Sequence, residues 1–156
     1  MEFFKIIRAQ AHCDIPCGIY DPTPAKIAAK TVARMIDQME ELATPADMSD
    51  KHAAASYVNS LSRRIAVKEA HAETCKRELA ILWSDFFKPE HLATHPNLHD
   101  LFWKALKLCS KTKQDPHKED AVALVAAVDE IARIFYEVKN APEKFEAYKK
   151  ITDTLY

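Results

Sequence analysis

The residues best equipped for chemistry stand together in one run, HCDIPCGIY, from His12 to Tyr20. It holds an imidazole (His12), two thiols (Cys13 and Cys17), a carboxylate (Asp14) and a phenol (Tyr20), beside Pro16 and the only glycine of the 156-residue chain, Gly18. Three residues separate Cys13 from Cys17, so two thiolates reach one metal ion if the backbone between them reverses sharply. Pro16 and Gly18 suit such a reversal, because proline fixes φ and admits a cis bond while glycine accepts positive φ. Taken alone, a C-x3-C spacing also fits a reducible disulfide or half of a zinc site. No C-x2-C pair stands elsewhere to complete that site.

Cutting the peptide bond before His12 changes the donor set. A free α-amine titrates at roughly 7.7 to 8.0, so a metal can displace its proton. The amine then lies beside the Cys13 amide nitrogen and the two thiols. Amine, amidate and two thiolates form a planar four-donor set, and tetragonal geometry of this kind points to Ni(II) or Cu(II) rather than to tetrahedral zinc. The His12 imidazole, on the same residue as the amine, is placed to bind axially. Thiolate and amidate are strong electron donors that stabilise a higher oxidation state and bring a one-electron cycle at nickel within reach. Ala9 and Ala11 flank Gln10 just before His12, a small-x-small pattern open to a peptidase. The plainer reading of Met1 to Ala11 is an ordinary frayed terminus.

Composition limits the other functions. A formal net charge of -1, with both signs mixed along the chain, gives no nucleic-acid footprint and no polybasic membrane patch. No apolar run approaches the roughly 20 residues that span a bilayer, and Glu2, Lys5 and Arg8 interrupt the short apolar part of the leader, which makes a poor secretory signal. Four cysteines do not make a disulfide scaffold, so a reducing, cytoplasmic setting is expected.

The elements that must position the run read as helices. At 48% hydrophobic the chain can bury a core as one domain. Pro22 and Pro24 mark a helix start, and Ile27, Val32, Met35, Ile36, Met39 and Leu42 fall on one face of a helix to Leu42. A longer helix, from about Asp50 to Phe87, carries Leu61, Ile65, Lys68, Ala72, Cys75, Leu79, Leu82 and Phe86 at bundle-seam spacing. Lys68 is the one charge in that seam. It reads either as a snorkelling lysine with an exposed ion pair or as a polar window where the bundle meets the hook. A third helix from about Asn97 to Lys111 buries Leu98, Leu101, Phe102, Ala105, Leu108 and Cys109. A fourth presents Val122, Val125, Val128, Ala132, Phe135 and Val138, and Pro142 closes it.

No segment alternates with period two over a useful length, so the expected fold is all-α, an antiparallel four-helix bundle. The expected division is a cleavable leader over 1–11, hook plus bundle over 12–140, and a C-terminal helical extension over 141–156. Cys75 and Cys109 read as small buried hydrophobes. His91, His95 and His99 read as surface or helix-end residues, and Pro96 interrupts the helix their spacing would need for a metal site.

The run HCDIPCGIYDP closely resembles the N-terminal nickel hook of the nickel-containing superoxide dismutases. The resemblance extends to Lys68-Glu69 and to LWSDFFKP from Leu82 to Pro89, and covers roughly His12 to Lys139. It implies a four-helix-bundle subunit of a homohexamer with one nickel ion per subunit. This enzyme converts superoxide to oxygen and hydrogen peroxide by cycling between Ni(II) and Ni(III), after a peptidase removes the leader. The resemblance assigns amine and axial imidazole to His12, amide nitrogen and thiolate to Cys13, and the second thiolate to Cys17. Asp14 and Tyr20 match residues that structure the hook and its substrate approach, with the Tyr20 hydroxyl near the open face of the metal. Three positions depart from the family pattern. Ala28 and His71 stand where a glutamate and an arginine often hold the axial imidazole, and Phe86 where a second tyrosine is common. An alternative from another class is a nickel- or copper-delivery module without turnover; a third is a helical interaction protein with incidental cysteines. Lys68 and Lys88 are candidates to attract the superoxide anion.

Overall fold

The computed structural model describes residues 18–156, and the described residues are helical with no strand among them. Helix α1 spans Thr23–Glu40. Helix α2 spans Lys51–Ile81 and continues into a single wide turn over Leu82–Phe86. A short 3-10 turn at Pro89–Ala93 leads to α3, Leu98–Gln114, then α4, Lys118–Val138, and α5, Pro142–Thr152. Helices α1 and α2, α2 and α3, α3 and α4, and α4 and α1 pack as neighbours, which closes the bundle, while α5 docks on α4 and α1.

Several starts and stops have a local cause. Asp50 caps α2, its Oδ1 accepting from the His52 and Ala53 amides at 2.9 and 3.3 Å, which satisfies donors that a helix start leaves open. Helix α4 ends on Asn140 in the left-handed region, φ 53°. The Asn140 amide donates to the Glu137 carbonyl and the Ala141 amide to the Tyr136 carbonyl, both at 2.9 Å, a Schellman ending in which asparagine takes the place usual for glycine. The wide turn after α2 is of π type: the Phe87 amide donates to the Leu82 carbonyl five residues back, at 3.0 Å. Such turns are frequent at functional sites.

The buried faces differ in part from those the apolar pattern predicts. Helix α1 docks through Ala25, Ala28, Ala29, Val32 and Ile36, while Ile27 is 44% exposed and Met35 and Met39 are half-buried. Alanines let the helix axis come close, so the contact follows the small residues and leaves larger ones at its edges. In α2, Lys68, Ala72, Cys75, Leu79 and Leu82 are buried, as the seam predicts, but Leu61 is half-buried and Ile65 exposed. The 31 residues of α2 make it about 46 Å long at 1.5 Å per residue. The 18 residues of α1 give only about 27 Å, so the first turns of α2 run past the end of their neighbour. In α4, Val128, Ala132 and Phe135 are buried as expected, whereas Val122 is 58% exposed and Leu124, Ile131 and Ile134 are inside. The core-facing stripe of α4 is therefore set by Ala121, Leu124, Val128 and Ile131, to one side of Val122. Cys75 and Cys109 are free and fully buried.

Candidate metal centre at the entrance to α1

The hook residues His12, Cys13, Asp14 and Cys17 lie outside the described residues, and what is visible is the end of the bundle from which they depart. Gly18 has φ +69°, a backbone that side-chain-bearing residues rarely adopt, so the single glycine of the chain stands where the backbone turns towards α1. Ile19 points outward, 76% exposed. The Tyr20 ring lies 5.8 Å from that of Phe86, which in turn sits 4.4 Å from Phe135, so Tyr20 rests on an aromatic floor that reaches into the core. Asp21 closes the approach: its Oδ1 accepts from the Thr23 amide at 2.7 Å and its Oδ2 from the Tyr136 hydroxyl at 3.3 Å. Burial, and secondarily the Asp21 carboxylate, push the Tyr136 hydroxyl up to about 12, so it remains a protonated donor at neutral pH.

A groove of about 410 Å³ opens here, lined by Gly18, Tyr20, Phe86, Lys88, His91 and Lys139 among others. The wide turn at the end of α2 supplies Phe86, and the 3-10 turn supplies His91. The Lys88 amide donates to His91 Nδ1 at 3.1 Å, which occupies that nitrogen as acceptor and leaves Nε2–H as the donor of the neutral ring. Lys88 and Lys139 are both exposed and bring two positive charges to the groove, against one negative charge from Asp85.

The other candidates fall elsewhere. Lys68 is buried, 2% exposed, and its Nζ donates to the carbonyls of Thr112 and Lys113 at 2.7 and 2.8 Å. It caps the C-terminal end of α3, where cations are favoured; its position fourteen residues before Leu82 puts it about 21 Å down the helix from the hook end. It is no snorkelling lysine with an exposed ion pair, and the hook against which the polar-window reading would be judged lies outside the described residues. Burial draws its pKa down, with Glu69 and Asp115 opposing. Ala28 is packed in the core, 1% exposed, and His71 is half-buried with Nδ1 sealed and unpartnered. The histidine series is dispersed: His91 sits at the groove, His95 lies 3.9 Å from Glu137, and His99 meets the Trp83 ring at 4.6 Å. Among the described residues no group of three or more His, Cys, Asp or Glu is arranged to hold a metal ion.

Sequence reasoning missed three features of this end: His91 and Lys139 in the groove, and the Tyr136–Asp21 contact. His91 stands two residues after the LWSDFFKP motif, which was the available signal for it. Nothing local marks Tyr136, which lies 115 residues from its partner.

The described residues define a closed helical bundle with an aromatic, charged groove at the end where the thiol-rich N-terminal run departs. Comparison with known proteins narrows the class. Residues 7–139 match the sequence model of the nickel-containing superoxide dismutases. The chain is 34% identical to "Superoxide dismutase [Ni]" of Streptomyces seoulensis over 139 residues, covering 89% of this chain and 96% of that protein. It is 36% identical to the protein of that name from Streptomyces coelicolor over 142 residues, with the same coverage. A native nickel superoxide dismutase structure aligns with a TM-score of 0.71 at 33% identity, covering 83% of this chain and all of the other. The chain belongs to the nickel-containing superoxide dismutase family. It is an oxidoreductase acting on superoxide, with nickel as its cofactor, and the delivery-module alternative is not favoured.

Proposed function

We propose that superoxide is dismuted at a nickel site built by His12, Cys13 and Cys17 after cleavage before His12, with Asp14 and Tyr20 shaping the approach. One observation carries this reading: the residues that follow Cys17 are anchored at a groove lined by Tyr20, Lys88 and His91. The donor set would suit nickel: His12 would supply an amine and an imidazole nitrogen, Cys13 an amidate and a thiolate, and Cys17 a second thiolate, all strong donors. Held there, nickel would supply one-electron chemistry between Ni(II) and Ni(III).

The chain's own groups do the rest. Gly18 turns the backbone and Asp21 fixes its entry into α1. Tyr20, seated on Phe86, forms the aromatic side of the groove. Lys88 and Lys139 place a local positive field at the mouth, which favours entry of an anion. His91 offers Nε2–H as a hydrogen-bond donor along the wall.

The same reading includes the leader over 1–11, hook plus bundle over 12–140 and a helical extension over 141–156. It also includes removal of the leader by a peptidase, a cytoplasmic setting and assembly as a homohexamer. No helix of the described residues is long and apolar enough to cross a membrane. Trp103, 60% exposed, borders a surface groove of about 420 Å³ with Trp83 and Leu106, an apolar surface of the kind that subunit contacts cover.

The test compares purified chains beginning at Met1 and at His12, loaded with nickel under the same reducing conditions. With the leader attached, the His12 nitrogen is an amide, and deprotonating two successive amides for one metal is far harder than using an amine and one amide. The processed chain should bind nickel and consume superoxide, and the longer chain should do neither. Equal activity from a verified uncut chain removes the α-amine from the mechanism.

A further inference from the structure

The family match ends at Lys139, yet α5, which follows it, is built firmly into the bundle. Tyr148 and Thr152 are 4% and 1% exposed. A charged cluster holds the helix down. Lys26 of α1, itself 1% exposed, reaches Asp129 of α4 at 2.5 Å and Asp153 at 3.5 Å. Lys149 bridges those two carboxylates at 2.7 and 2.9 Å, and Lys30 donates to the Thr152 and Asp153 carbonyls at 3.0 and 3.1 Å. This clamp presses the Tyr148 ring to 5.9 Å from that of Tyr136. Tyr136 is wedged on its other side by Phe135 at 5.2 Å, which leaves its hydroxyl aimed at Asp21.

Asp21 is the last residue before α1 whose side chain grips the bundle from both oxygens. With the Tyr136 hydroxyl on Oδ2, Oδ1 is held in line with the Thr23 amide, and the direction in which the chain leaves the helix is fixed four residues from Cys17. We propose that Tyr136, backed by α5, is a positioning residue that sets the exit direction of the nickel-binding segment through Asp21. The inference rests on the assignment of nickel to His12, Cys13 and Cys17. Its consequence reaches beyond that assignment: the ring that orients Asp21 is packed against a helix outside the family match.

The test uses Tyr136→Phe, which removes the hydroxyl and keeps the ring, and Tyr148→Phe, which keeps the ring against Tyr136 but cuts the 3.3 Å contact of its hydroxyl to Asp129. Amide exchange at Thr23 in the metal-free full chain should rise about two- to tenfold in Tyr136→Phe, the range that one lost hydrogen bond gives. It should stay unchanged in Tyr148→Phe. After leader removal, transfer of nickel to a chelator should speed up by a similar factor in Tyr136→Phe alone. If Tyr136→Phe does not fold, Asp21→Asn, with one acceptor oxygen for two donors, should loosen Thr23 in its place. Unchanged Thr23 exchange in the Tyr136 variant, or an equal rise in the Tyr148 variant, overturns the proposal. Nickel that never binds the unsubstituted processed chain sinks the site assignment. Nickel that binds and leaves Tyr136→Phe at the unsubstituted rate sinks only this inference.

Discussion

In the seam between α2 and α3, Lys68, Cys75 and Cys109 are sealed from water, whereas at the entrance to α1 Lys88, Lys139 and His91 border an open groove. The two regions use residues of overlapping chemistry to opposite ends. In the seam the ammonium group is committed to two helix-end carbonyls. The Cys75 thiol is pushed up, first by its hydrogen bond with Cys109 and then by burial, which keeps it protonated and unreactive. At the entrance the cations are exposed and the backbone turns on a glycine. Burial, more than residue type, separates the structural Lys68 from the lysines that border the groove.

The sharpest way to break this contrast is to exchange sulfur for oxygen in both regions. Cys13→Ser or Cys17→Ser should take nickel from one ion per chain to none, because a hydroxyl is no comparable donor at neutral pH, while helicity by circular dichroism stays the same. Cys75→Ser or Cys109→Ser should do the reverse, keeping nickel and lowering stability by about 1 to 3 kcal/mol for a buried hydroxyl without an equivalent partner. Metal analysis and urea denaturation read the two outcomes separately. Unchanged nickel stoichiometry in both hook variants means the ligands lie elsewhere.

The next contrast is between lysines. Lys68→Met should cost about 2 kcal/mol in denaturant, since it strips a charged donor from the Thr112 and Lys113 carbonyls at a buried helix end. Turnover per bound nickel should hold. Lost turnover with intact stability would return Lys68 to the active region from which its position on α2 removes it.

These regions were not equally legible in the sequence. The helices and the buried cysteine pair could be read directly, because helical periodicity is a local signal. The order of His, Cys, Pro, Cys and Gly is local too and singled out the candidate ligands, which lie outside the described residues. The burial of Lys26 and Lys68 could not, since each depends on partners far along the chain: Asp129 for one, the end of α3 for the other. Ile27 and Val122 show the same limit from the apolar side. Each is hydrophobic at a plausible spacing, yet the packed face follows Ala25 and Ala28 in α1 and Ala121 and Leu124 in α4, because close approach of helices favours small residues that a hydrophobicity pattern weights lightly. The groove was half legible: Lys88 could be singled out from the motif at the end of α2, while Lys139 joins it only through the return of α4.

The smallest expected effect is kinetic. Superoxide is an anion, and a chain with a formal net charge of -1 offers it no overall attraction, so steering must come from charges at the groove itself. Lys88→Gln keeps the length of the side chain and leaves the backbone amide that donates to His91 in place. It should therefore lower the second-order rate constant about two- to fivefold at low ionic strength through the lost local field. The gap between variant and parent should narrow as salt approaches about 0.1 M, where the screening length falls to roughly 10 Å. Lys139→Gln should act in the same direction, and the double variant should show the flattest dependence on salt. Lys68→Met serves as the control, because a buried charge about four helical turns from the hook end of α2 contributes far less to the field at the groove's mouth and should change the salt dependence of the parent least. A rate constant in Lys88→Gln that equals the parent's at every ionic strength would mean that superoxide reaches the metal by a path this groove does not govern.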